Sequence, residues 1–227
     1  MCPPSTNTGP SAEQPDETIL AQLDSLVPDT PLSKAILRHV VSALPLSIVH
    51  HSLRVYLFAN WLAHKEASPL ADGHLLFAAC VGHDLGASHL HNATSERFEV
   101  EGADTTVALL REHHRDLTET DAHDVWVAIA LHTSPHIAER ITPLARLVRL
   151  AVLIDFRPLS RQSHHAVDYG REIEIKLPRL DIEKILADAV VHQAVQNPLK
   201  APPASWPNAL YKSHLENPDW TGVNKGF

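Results

Sequence analysis

Apolar residues recur at helical spacing in segment after segment between residues 16 and 197. A chain patterned in that way has to bury its stripes helix against helix. The stripes predict helices near 16–25, 31–43, 46–65, 70–85, 101–115, 121–132, 143–157 and 181–197, with shorter ones at 135–140 and 163–171. Start signals agree with several of these: Ser33 in the second, Pro45 before the third, Asp121 at the sixth and Pro143 opening the seventh. Strict alternation is scarce, and the one alternating run, REIEIKL over 171–177, is short and isolated. The expected class is all-α, a helical bundle without an internal repeat.

At 227 residues the chain suits one domain with tails. A net charge of −8 turns away nucleic acid, which needs a basic surface. No run approaches the roughly 20 apolar residues of a membrane span, and Asp155 interrupts the best candidate. The start, MCPPSTNTGPSAEQPDET, has no apolar signal core, and residues 1–15 read as a disordered tail. Cys2 and Cys80 make no disulfide framework, so the expected compartment is cytoplasmic. The domain is expected over 16–200. Residues 201–227 hold Trp206, Tyr211, Trp220 and Phe227, four of the twelve aromatics, so this segment is expected to pack on the domain or on a second copy in a homo-oligomer.

Seventeen histidines is a high count, and most sit among polar neighbours, where solvated surface positions are expected. Four predicted helices instead carry ligand-type residues on apolar faces. In the third, His51 aligns with Ile48, Val55, Phe58 and Leu62, and His50 aligns equally well with Leu46, Leu53, Leu57 and Trp61. The fourth ends in CVGHDLG, with His83 and Asp84 after an apolar run. His132 closes the sixth, and Asp155 closes LVRLAVLID in the seventh. Buried carboxylates need compensation, and two imidazoles with two carboxylates suit a first-row metal ion.

The order His51, His83-Asp84, Asp155 resembles the H…HD…D signature of the HD-domain metalloenzymes. The HSLR segment, His51 to Arg54, resembles that family's motif and favours His51 over His50. The resemblance implies an HD-domain helical bundle with His51, His83, Asp84 and Asp155 as metal ligands. Two-metal members add further histidines. Here Phe98 stands where the first extra one falls, and the later pair reads His132-Thr133, so a single metal is expected, with His132 released for other work. His113 and His114 are expected at the surface.

The segments HSLRVYLFANWLA, RFEVEGAD, AIALHTSPHIAER and HLENPDWTGVNKGF further resemble the fungal cyanamide hydratase-like branch of that superfamily. This resemblance implies a zinc-dependent hydro-lyase adding water to the nitrile of cyanamide or a similar small molecule, with Fe or Mn compatible with the same ligands. His132 is then the candidate for proton transfer, its ordinary pKa of about 6.5 suiting neutral pH, with Asp84 beside it. Thr133, Ser134, Arg54 and Glu99 are candidates for holding substrate; Thr133 and Ser134 equally suit a helix cap, Arg54 and Glu99 equally suit salt bridges. Cys80 reads as an inert buried thiol. The alternative is a phosphohydrolase, which needs several Arg or Lys side chains converging on phosphate; Arg54 and Arg97 are the ones near the motifs, and no cluster is visible in the sequence.

Overall fold

The computed structural model describes residues 17–227, so the tail expected over 1–15 lies outside the described residues. Its helices are α1 (Glu17–Leu23), α2 (Pro31–Ala43), α3 (Leu46–Lys65), α4 (His74–Gly82), α5 (Phe98–His113), α6 (Glu119–Ala130), α7 (Ala138–Ile141), α8 (Pro143–Phe156), α9 (Pro158–Ser163), α10 (Val167–Lys176), α11 (Ile182–Gln196) and α12 (Trp206–Glu216). Among the described residues there is no strand, and no helix is long and apolar enough to cross a membrane. The architecture is the all-α bundle that the periodicity requires.

The starts are chemically explicit. Thr30 caps α2 by accepting from the Ser33 amide at 3.1 Å, with Pro31 in the first turn. Thr118 and Asp121 form a reciprocal capping box at α6. Thr142 caps α8 just before Pro143. The alternating REIEIKL run is helical rather than extended. Gly170, Ile173 and Leu177 are buried at helical spacing, whereas Ile175 is 81% exposed, so the 3.6-residue period overrides the two-residue one. Helices α9 and α12 were not expected. The signal for α12 is SWPN: Ser205 accepts from the Asn208 amide at 3.2 Å, and Pro207 sits in the first turn.

α3 is the central element, packed on α4, α8 and α11. Its Ile48, Val55, Phe58 and Ala59 are fully buried. The segment after α4 is drawn tightly against α5. A Cβ at Gly86 would lie 1.8 Å from the Phe98 carbonyl oxygen, so only glycine permits this approach. That seam sets the end of α4 against the start of α5, and the N-terminal half of α3 meets the residues after α4 through His51 and His83. The C-terminal segment closes over it: Leu210 is fully buried, and α12 packs on α11.

Candidate metal centre and its cavity

His51 lies in the second turn of α3, His83 and Asp84 just past the end of α4, and His132 just past the end of α6. All four are buried. The Nε2 atoms of His51 and His83 face each other at 3.1 Å. Asp84 Oδ2 is 3.2 Å from His83 Nε2 and 3.6 Å from His51 Nε2. Asp84 Oδ1 is 3.6 Å from His132 Nε2. His51, His83 and Asp84 each offer one donor atom within 4.8 Å of the others.

The opposite ring nitrogens fix the tautomers. His83 Nδ1 donates to the Cys80 carbonyl at 2.7 Å, and His132 Nδ1 donates to the Ile129 carbonyl at 2.7 Å. His51 Nδ1 donates to Asp155 Oδ2 at 2.8 Å. In the neutral rings every Nε2 therefore presents a lone pair toward its neighbours. Both Asp84 oxygens are buried without a hydrogen-bond partner. A buried carboxylate and converging lone pairs without a positive charge are costly, and a divalent cation resolves that directly. The residues fit such an ion.

The titration shifts tell the same story. Burial alone disfavours charge on His83, but Asp84 beside it outweighs burial and lifts its pKa. Burial likewise opposes charge on Asp84, and His83, His51 and His132 hold it below the usual carboxylate range. Burial lowers His51 despite Asp155. The cluster collects positive charge in the form of a proton when nothing else supplies it. Burial, reinforced by His83, pushes His132 down to about 3. That corrects the expectation of an ordinary imidazole: His132 is neutral at rest and presents Nε2 as an acceptor. Burial pushes the Cys80 thiol up, which keeps it inert.

Asp155 stands apart from the other expected ligands. Arg54 Nε donates to its Oδ1 and Arg54 Nη2 to its Oδ2, both at 2.8 Å. Burial opposes its charge, and His51 and Arg54 hold its pKa well below normal. The carboxylate thus sits behind His51, on the ring nitrogen away from His83. Arg54 is fully buried and also donates to the Leu177 carbonyl at 3.1 Å. It does not line the cavity, which corrects its expected place beside substrate. His50 points elsewhere, its Nδ1 donating to the Pro178 carbonyl at 3.1 Å. Periodicity left the choice between His50 and His51 open, and packing puts His51 on the cavity.

A cavity of about 470 Å³ opens over the cluster. Thr133 and Ser134 are on its wall. Thr133 Oγ1 donates to Glu99 Oε1 at 2.7 Å. Glu99 is fully buried, outside the lining, and is held by Arg97 and Thr133, so its place is structural support rather than direct contact with the cavity. Neither Thr133 nor Ser134 caps α7 through its side chain. Arg97, Arg149 and Arg157 reach the wall, a grouping that the sequence did not display. Each is engaged: Arg97 with Glu99, Arg149 with Glu139 and with the His132 carbonyl at 2.9 Å, Arg157 with the Phe227 main-chain oxygen at 2.7 Å. Arg149, Val152, Leu153 and Phe156 form one stripe of α8 at helical spacing, legible in the sequence beside the stripe that carries Asp155. Trp206 and Phe227 complete the wall from the C-terminal segment.

No curated protein matches the chain. The family comparison covers His51, His83, Asp84 and His132 and stops inside α8, short of Asp155. Residues 48–151 match the HD domain family.

Proposed function

We propose that the protein is a metal-dependent hydratase that adds water across the nitrile group of a neutral small molecule, cyanamide or a relative of it, giving urea or an amide. The HD domain and the His51–His83–Asp84 cluster support metal-dependent enzyme chemistry. The choice of a neutral substrate rests on one observation: Arg97, Arg149 and Arg157 are each held by another group of this chain. A substrate phosphate would have to take them from those partners. The reaction consumes one water. A carbon–oxygen bond forms, one carbon–nitrogen π bond is lost, the water protons end on the product, and no redox step occurs.

His51, His83 and Asp84 are the residues that would hold the ion, and zinc, iron and manganese all suit them. A divalent ion there supplies Lewis acidity to the reacting groups. His132 Nε2, fixed as an acceptor by the Ile129 carbonyl, takes a proton from water and returns it to the substrate nitrogen. Asp84 Oδ1, 3.6 Å away, steadies the imidazolium while it exists. Ser134 and Thr133, the latter held by Glu99 from behind, form the polar wall near His132 and orient the nitrile group. Asp155 and Arg54 hold the His51 ring in its orientation.

A second reading, hydrolysis of a phosphoester, draws on the presence of three arginines around the cavity. Urea release from cyanamide, assayed on metal-quantified protein beside phosphate release from a nucleotide panel, separates the two. Phosphate release without urea overturns the hydratase reading; bound metal without either product indicates a structural ion.

A further inference from the structure

Seven rings form a closed circuit of contacts around the cavity. His51 lies 5.0 Å from His83 between ring centroids, and His83 lies 4.8 Å from His132. His132 touches Phe98 at 5.6 Å, Phe98 touches Trp206 at 5.8 Å, and Trp206 touches Phe227 at 5.6 Å. Phe227 meets Phe156 at 5.0 Å, and Phe156 returns to His51 at 4.3 Å. One arc is imidazole and carries the donor atoms. The other is hydrocarbon and indole, and three of its members, Phe156, Trp206 and Phe227, line the cavity.

The size of the cavity sharpens the point. A molecule of three non-hydrogen atoms, such as cyanamide, fills only a few water volumes of about 30 Å³ each. The cavity holds about 470 Å³, which falls in the range of about 300–1,000 Å³ typical of larger organic ligands. Val152, Leu153, Ile137 and Leu186 line the same cavity as these rings, with the internally paired Arg97, Arg149 and Arg157 also at its wall. Aromatic rings spaced as these are favour a further flat ring in offset or edge contact.

We propose that the substrate carries its reactive group on a neutral aromatic body, seated against Phe156, Trp206 and Phe227, with the reactive group directed to the imidazole arc. The nature of that group, a nitrile, rests on the hydratase reading above. The seat itself rests on the ring circuit and the volume.

Two measurements test the two parts separately. Binding of urea and of phenylurea, which are stable products and do not turn over, is measured by calorimetry on the zinc-loaded protein. Phenylurea is expected to bind at least tenfold more tightly. Phe227→Ala and Trp206→Ala are each expected to cut that ratio at least threefold, and Phe227→Leu, which keeps apolar bulk and guards against misfolding, is expected to fall between. Equal binding of the two ureas, or a ratio that neither variant alters, overturns the seat. Hydration of phenylcyanamide and cyanamide is then compared as kcat/KM. A phenyl preference in binding with no turnover of either nitrile removes the hydratase reading and leaves the seat standing. Turnover of both nitriles without a phenyl preference in binding removes the seat and leaves the hydratase.

Discussion

His51 Nδ1 donates to Asp155 Oδ2 at 2.8 Å, and Arg54 donates to both oxygens of the same carboxylate. The pair Arg54–Asp155 thus forms a charged support for the imidazole, with both side chains fully removed from solvent. Arg161 and Arg179 also approach Asp155 Oδ1, at 3.6 and 3.4 Å. The excess of positive groups there keeps Asp155 ionised. An ionised Asp155 keeps the proton of His51 on Nδ1 and its lone pair on Nε2.

Removing one member of that support exposes its role. Arg54→Met leaves a buried carboxylate short of its main partner, which costs about 3–5 kcal/mol in such sites. It also frees the His51 ring, and metal affinity is expected to fall about 10- to 100-fold. Chemical denaturation and zinc titration on the same variant read the two effects. Unchanged zinc affinity with lowered stability would confine Arg54 to packing.

Asp84 gives a prediction in two halves, without metal and with it. Without metal its charge is balanced through His83, whose pKa it lifts, so in chelator the Asp84→Asn protein, which leaves that buried imidazole without its carboxylate, is expected to be less stable than wild type. With zinc at a hundred times its dissociation constant, wild type gains about 2.7 kcal/mol by mass action, and the variant gains almost nothing. Thermal melts with EDTA and with zinc check both halves. A variant that melts together with wild type in EDTA would show that the metal-free cluster takes up no compensating proton.

His132 separates proton transfer from ligation. His132→Ala is expected to keep zinc near full occupancy and to lose about a hundredfold or more in kcat, as positioned acid–base groups typically contribute. His132→Gln can hydrogen-bond without transferring a proton and is expected to recover only the part due to orientation. Zinc stoichiometry, melting temperature and kcat together decide; loss of zinc in parallel with activity would make His132 a ligand.

Acid should destabilise the metal-free protein in a defined window. The pKa values of His39, His50, His51, His74, His91, His132 and His164 are all lowered, with burial the largest cause in each. A group whose folded pKa lies below its unfolded value binds more protons when unfolded. The stability it contributes is therefore present above the unfolded value, about 6.5, and is lost as pH falls below it. His83 works in the opposite direction through Asp84 but is one against seven. Denaturant melts between pH 7.5 and 5 are expected to show net uptake of more than one proton on unfolding. A flat profile would mean that these rings are solvated.

Residues 31–43, 46–65 and 143–157 are helical within a residue of the limits that their apolar period implies, because side-chain burial against one partner face repeats every 3.6 residues and can be read locally. The adjacent pair His83-Asp84 after an apolar run already demanded a compensating charge, since that demand depends only on the residues being buried. Other features were not local. The HSLR motif favours His51 over His50, but periodicity could not separate them; the packing of α3 does so physically, giving His50 to the Pro178 carbonyl, 128 residues away. Asp155 lies behind His51 because Arg54, one turn further along α3, claims its oxygens. Trp206 and Phe227 join the cavity only through contacts with Phe98 and Phe156, which lie at least 70 residues away in the chain. Periodicity determined which residues are buried; which buried atom faces which other was decided by the meeting of distant helices.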